Sequence, residues 1–181
     1  VLQKILGPAG EPVTLTIRRG DETLDVTIVR AKISVPVVDY QMLENEIAYV
    51  ALTTFNDQAT EQLRDALDEL MAQNPKGLIL DLRNNGGGYL STAIEVASEF
   101  IPEGVIMYEE YGDGTREVYN AKRGGRATEI PLVVLVNEGT ASASEIVAGA
   151  IQDHGRGKLV GTLTYGKGSV QNWIPLSTED S

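Results

Sequence analysis

Residues 132–171 read LVVLVNEGTASASEIVAGAIQDHGRGKLVGTLTYGKGSVQ, and this stretch decides the fold class. Leu132 to Val136 is a wholly apolar run of strand length, the pattern of a strand buried on both faces. Small and apolar residues then recur at helical spacing from Ala141 to Gln152, and Lys158 to Thr164 reads as a strand again. Strand, helix and strand in succession form a parallel crossover unit. In such a unit the helix starts at the sheet edge where the strands end, and the second strand recovers the ~20 Å that the helix descends. The turn holding Ser142 and the chain around Lys167 are therefore expected side by side.

Working outward, Gly77 to Leu82 is a short, almost wholly apolar strand leading into the loop Asn84 to Gly88, sequence NNGGG. Leu90, Ile94, Ala97 and Ile101 then form one helical stripe, stopped by Pro102. Upstream, Ile47 to Phe55 reads as a strand, and Asp57 as N-cap of a helix carrying Leu63, Ala66, Leu67 and Leu70 and ending near Asn74-Pro75. Val105 to Glu109 and Glu117 to Tyr119 read as a hairpin around Gly112-Asp113-Gly114. The basic glycine-rich loop Lys122 to Arg126 reads as solvated surface, as do Asp65, Asp68, Glu95, Glu99, Glu109 and Glu110. The class is α/β with a partly parallel sheet. At the N-terminus, Val1 to Leu6 reads as the tail of a helix stopped at Gly7-Pro8. A hairpin of alternating Val13, Leu15, Ile17 and Leu24, Val26, Ile28 follows, turning at Arg19-Gly20-Asp21. We divide the chain into a β module at 1–34, a connector at 35–46 and an α/β core at 47–181.

Composition narrows the chemistry. The chain has 181 residues, enough for one domain or one domain plus part of another. A formal net charge of -11 repels a phosphate backbone, which argues against nucleic acid as a partner. The absence of cysteine excludes disulfides, thiolate zinc sites and a cysteine nucleophile, and a single histidine excludes multi-histidine metal sites. No apolar run is long enough to span a bilayer, and the first residues lack the pattern of a signal peptide.

Three loops, Asn84 to Gly88, the turn at Ser142 and the segment around Lys167, are thus expected on one sheet edge. Together they offer a hydroxyl nucleophile, an amine that can take its proton, and backbone N–H groups to hold an oxyanion. To act as a base the amine must be neutral near pH 7, which requires burial or cationic neighbours; the apolar and glycine residues flanking Lys167 are expected to bury it. Gln171, four residues on, shares a face with Lys167 if that stretch is extended. His154 lies roughly 18 Å from Ser142 along a continuous helix, and Asp153 about 16 Å, so a Ser-His-Asp triad on this helix is excluded. His154 reads instead as a C-terminal helix residue bonding the last carbonyls. Each feature also has a plain local reading. Ser142-Ala143-Ser144-Glu145 fits a capping box, Lys167 a surface turn, and Gly86-Gly87-Gly88 a flexible loop lacking the spacing of a dinucleotide fingerprint.

Two segments together resolve those alternatives. NEGTASASEIVAGAIQDHGRGKLVGTLTYGKGSVQ, 137–171, resembles the catalytic signature of the C-terminal processing peptidases, or tail-specific proteases, and KGLILDLRNNGGGYL, 76–90, is similar to their glycine loop. The resemblance implies a serine endopeptidase with a crotonase-like core, akin to the Clp proteases, cutting proteins near exposed C-terminal tails without a cofactor. It implies Ser142 as nucleophile, Lys167 as general base, Gln171 as the residue positioning the lysine, and an oxyanion hole from Ala143 N–H with Gly87 or Gly88. Asp153 matches an acid of the family motif, though the helix geometry gives it a structural role. Thr140 stands where the family often has serine. The N-terminal hairpin looks like the last part of a PDZ domain, whose partners are C-terminal tails added as a strand. The resemblance also implies an extracytoplasmic location and a parent chain extending beyond both ends. The competing readings are a crotonase-like acyl-thioester enzyme using the same glycine loop without a nucleophile, and a tail-binding module that does not cut.

Overall fold

The computed structural model describes residues 2–32 and 35–171; the readings of Val1, Ile33, Ser34 and the end of the core at Ser181 fall outside them. The chain divides into two compact units, Val1–Val35 and Pro36–Ser181.

In the first unit a single helical turn, α1 (Leu2–Ile5), precedes the antiparallel pair β1 (Pro12–Arg19) and β2 (Glu22–Val29). The register sets Val13 opposite Ile28, Leu15 opposite Val26 and Ile17 opposite Leu24, so the alternating apolar residues share one face. The other face is polar, with Thr14 bonded to Thr27 at 2.9 Å and Thr16 to Asp25 at 2.6 Å. Arg30 donates to the Ile5 carbonyl at 2.8 Å, tying the helical turn to the hairpin.

The second unit is built on a five-stranded sheet in the order β3-β4-β5-β8-β9. β3 (Val38–Leu43) pairs antiparallel with β4 (Ile47–Leu52), while β5 (Gly77–Asp81), β8 (Leu132–Val136) and β9 (Lys158–Gly161) continue in parallel. The stretch read as a connector at 35–46 therefore contributes an edge strand. Its polarity misled the reading because an edge strand keeps its outward residues in water. β9 stops at Gly161, short of Thr164: the backbone there adopts φ 142° and a Cβ would fall on the Val136 carbonyl.

Helices α2 (Ala59–Met71), α3 (Leu90–Ser98) and α4 (Ala143–Asp153) supply the buried partners of Ala48, Val50, Leu52, Leu80 and Val134. Leu63, Ala66, Leu67 and Leu70 are buried, as their spacing predicts. The start of α2 is held by Asn56 rather than Asp57, through its side-chain oxygen on Gln58 N–H at 3.0 Å. The alternate residues Ile47, Tyr49, Ala51, Ile79, Val133 and Leu135 are only half-buried, so full cover of both sheet faces is not found among the described residues. β6 (Val105–Glu110) and β7 (Arg116–Asn120) form a separate two-stranded sheet, the predicted hairpin. No helix among the described residues is long and apolar enough to cross a membrane.

One surface reading is corrected. Glu99 is 2% exposed at the end of α3, where Arg64 of α2 reaches it at 2.6 Å and Arg126 at 3.2 Å. Arg126 also pairs with Asp68 at 2.8 Å and Lys122 with Glu95 at 2.6 Å, so the basic loop, exposed at Lys122, Arg123 and Gly124 as expected, is also tied to the helices. The partners are far apart in sequence, which a helix-face reading cannot detect.

Candidate active site

The chain leaving β8 is fastened to the end of β5. The Asn137 side-chain oxygen accepts from Asn84 N–H at 2.8 Å and its amide donates to the Asn84 side-chain oxygen at 2.9 Å. Thr140, fully buried, donates to the Leu82 carbonyl at 2.8 Å and accepts from Asn137 N–H at 3.0 Å. Thr140 thus holds the turn together. Ser142 follows with φ 55° and ψ -118°, a sparsely populated conformation for a residue with a side chain. Such strain persists only where the surroundings over-determine it.

The glycine loop supplies part of that determination. A Cβ on Gly87 would lie 2.8 Å from the Ala141 carbonyl oxygen, Ala143 N and Ser142 Cβ, so the loop backbone touches the serine turn directly. Asn85, wholly buried, organises this contact. Its side-chain oxygen accepts Gly87 N–H at 2.9 Å, its amide donates to the Leu52 carbonyl at 2.7 Å, and its own carbonyl receives Ala141 N–H at 3.0 Å and Ser144 Oγ at 2.9 Å. The sequence reading left Gly87 and Gly88 as equal candidates for the oxyanion hole. Gly87 N–H is occupied by Asn85, and of the loop and turn N–H groups that bond no other described residue, those of Gly88 and Ala143 belong to residues lining the cleft, whereas that of Gly86 does not.

The third loop, following β9, is held by Glu145. Its Oε1 accepts from Thr164 Oγ at 2.7 Å and Gly166 N–H at 2.6 Å, and its Oε2 from Ser142 N–H at 2.8 Å and Lys167 N–H at 2.9 Å. Burial pushes this carboxyl up, but the bonds from Thr164, Gly166, Ser142 and Lys167 outweigh it, leaving the group below its ordinary value. Tyr165 N–H adds a bond to the Thr140 carbonyl at 3.0 Å. The capping-box pattern correctly put Glu145 over Ser142 N–H; its reach to residues 164–167 carries no local signal in the sequence.

Ser142, Ala143, Lys167 and Gln171 line one open cleft of about 730 Å³ together with Gly88. Lys167 Nζ donates to Gln171 Oε1 at 3.1 Å, the predicted pairing. A direct Ser142–Lys167 side-chain hydrogen bond is not among the contacts of this arrangement. Lys167 is half-buried, less shielded than its neighbours suggested, because flanking Gly166 and Gly168 have no side chains to cover it. The far wall is the β6–β7 hairpin, with Met107, Tyr108, Glu109, Tyr111 and Tyr119 on the cleft. Hydrogen bonding to Glu109, together with burial, raises the Tyr119 hydroxyl well above its ordinary value.

His154 and Asp153 lie at the opposite end of α4. His154 Nε2 meets the Val105 carbonyl at 2.7 Å, so its side chain ties α4 to β6 instead of bonding its own helix's last carbonyls. The cleft thus gathers a hydroxyl on a strained turn, an amine with an amide partner, and a pair of N–H donors, the parts that acyl transfer requires.

The sequence profile of peptidase family S41 matches residues 46–181. The chain is 44% identical to the carboxy-terminal-processing protease of Bartonella bacilliformis over 97% of its own length and 42% of that protein. It is 41% identical to the chloroplastic carboxyl-terminal-processing peptidase 2 of Arabidopsis thaliana, covering 97% of the chain and 36% of the relative. The solved structure of the photosystem II D1 C-terminal processing protease superposes with a TM-score of 0.73 at 34% identity, over 94% of this chain and 48% of that one. The chain therefore spans roughly two fifths of the length of these curated relatives.

Proposed function

The chain belongs to peptidase family S41, and on that premise we propose that it carries the catalytic centre of a serine endopeptidase that processes proteins near their C-terminal tails. The observation that carries this reading is the cleft where Ser142, on its strained turn, meets the N–H groups of Ala143 and Gly88 and shares a wall with Lys167 and Gln171.

Lys167, in its neutral form, accepts the Ser142 hydroxyl proton as Oγ attacks the scissile carbonyl. Ala143 and Gly88 N–H hold the negative charge that develops on the carbonyl oxygen. As the C–N bond breaks, the lysine ammonium returns that proton to the departing amine, leaving an ester on Ser142. Water, deprotonated by the same amine, attacks the ester and releases the acid, and the proton goes back to Ser142 Oγ. Gln171 restricts the lysine side chain through the 3.1 Å bond. Delivery of Nζ to Ser142 Oγ accompanies substrate binding, in keeping with catalytic hydrogen bonds that tighten only in the Michaelis complex. None of these steps calls on a cofactor.

The N-terminal hairpin fits the closing strands of a PDZ-like module that receives substrate tails, and the site of action we propose is extracytoplasmic, as the family resemblance implies. The test uses the full-length polypeptide and tail-bearing protein substrates. Ser142→Ala and Lys167→Ala should each abolish cleavage, and a serine-directed acylating probe should label Ser142. Cleavage that survives Ser142→Ala would favour acyl-thioester chemistry on the glycine loop, and tail binding without cleavage in the wild type would favour a non-catalytic binder.

A further inference from the structure

Glu145 has more to do than cap a helix. Its Oε2 holds the backbone N–H of Ser142 at 2.8 Å and that of Lys167 at 2.9 Å, so one atom limits the two nitrogens to within about 6 Å of each other across 25 residues of chain. Its Oε1 takes Thr164 Oγ and Gly166 N–H, the residues leading into Lys167. We infer that Glu145 is the positioning residue of the reaction, fixing the lysine loop to the serine turn through a carboxylate that touches neither substrate nor the reacting atoms.

This inference rests on the Ser142–Lys167 reading above and adds a requirement to it. The lysine loop lies beyond the end of β9 and has no ladder of its own there; apart from Tyr165 N–H on Thr140, its backbone between 164 and 167 is anchored on this one side chain. All four groups facing Glu145 donate, and only an ionised carboxylate accepts at both oxygens. Glutamine offers one acceptor and turns an NH₂ toward two donors, so it is no conservative replacement here. Aspartate keeps the charge and both acceptors but is one methylene shorter. The same geometry assigns the oxyanion hole: with Ser142 N–H committed to Glu145, the donor at the nucleophile must come from Ala143.

The experiment measures peptide cleavage by the full-length polypeptide carrying Glu145→Gln, Glu145→Asp or Thr164→Val, with thermal unfolding as a check on folding and Ser142→Ala and Lys167→Ala as references. A misplacement of the base by about 1 Å predicts a kcat loss of about 100-fold for Glu145→Gln. KM should stay within a factor of about two, since the substrate-binding walls are untouched, with partial recovery in Glu145→Asp. Thr164→Val removes a single donor and should lower kcat by a smaller factor, again without changing KM. Wild-type kcat in both Glu145→Gln and Thr164→Val overturns the inference, as does a rise in KM with kcat unchanged. If Glu145→Gln does not fold, Thr164→Val decides between the same outcomes. Should the two reference variants still cleave, the dyad itself is wrong; should they be inactive while Glu145→Gln and Thr164→Val are unaffected, only the positioning role is.

Discussion

The Asn85 side chain accepts the N–H of Gly87, two residues on, at 2.9 Å and donates to the Leu52 carbonyl at 2.7 Å. One buried amide thereby joins the glycine loop to β4 and decides which glycine faces the cleft. Asn85→Ala leaves two buried groups without partners, a loss of about 1–3 kcal/mol for each. We expect a lower thermal midpoint and slower acylation of Ser142 by a serine-directed probe. An unchanged midpoint together with an unchanged labelling rate would contradict this account.

Gly88 has φ 153°, and a Cβ there would fall on the Phe55 carbonyl. Gly88→Ala must displace the loop and with it one proposed oxyanion donor, which predicts a fall in kcat of about 100-fold or more. Gly112→Ala, in the turn of the hairpin where a Cβ meets open space, is the matched control and should leave kcat near wild type.

His154→Ala removes the bond to the Val105 carbonyl and nothing at the cleft. Its effect should be confined to stability, at about 1 kcal/mol, with most peptide cleavage retained. Abolished cleavage in a folded His154→Ala protein would refute the assignment of the base to lysine.

The division between what could be read in advance and what could not follows the range of the interactions. The crossover unit read at 132–164, the hairpin at 105–119 and the stripe of α2 rest on spacing within neighbouring stretches of chain, and each formed there, with the last strand of the crossover ending at Gly161 instead of Thr164. The meeting of the three loops followed from parallel topology alone. Asn85, Glu99 and the full reach of Glu145 did not, because their partners lie 19 to 59 residues away, and nothing in a local window distinguishes a capping glutamate from one that also gathers a distant loop. The connector reading failed for a related reason. β3 becomes a strand by pairing with β4, whatever its own polarity.

Acid should test the end of β5. Burial pushes the Asp81 carboxyl up, but bonds from Arg83, at 2.6 Å to one oxygen, and from the Tyr49 hydroxyl at 2.7 Å outweigh it and hold the group below its ordinary 3.8. A carboxyl depressed on folding contributes stability that is complete above its unfolded value and is lost as pH falls through the folded one. Urea unfolding measured from pH 5 downward should therefore weaken more steeply in wild type than in Asp81→Asn below about pH 4. Parallel curves for the two proteins would remove Asp81 from the acid response.

The tyrosine-rich hairpin β6–β7 forms its own two-stranded sheet, outside the ladder that carries Ser142 and Lys167, yet Tyr108, Tyr111 and Tyr119 face the same cleft. The proposed reacting groups and the aromatic wall facing them are consequently carried on separable pieces of chain. A change of side chain on the hairpin would reshape that wall while the bonds joining the three loops at Asn85 and Glu145 stay as they are.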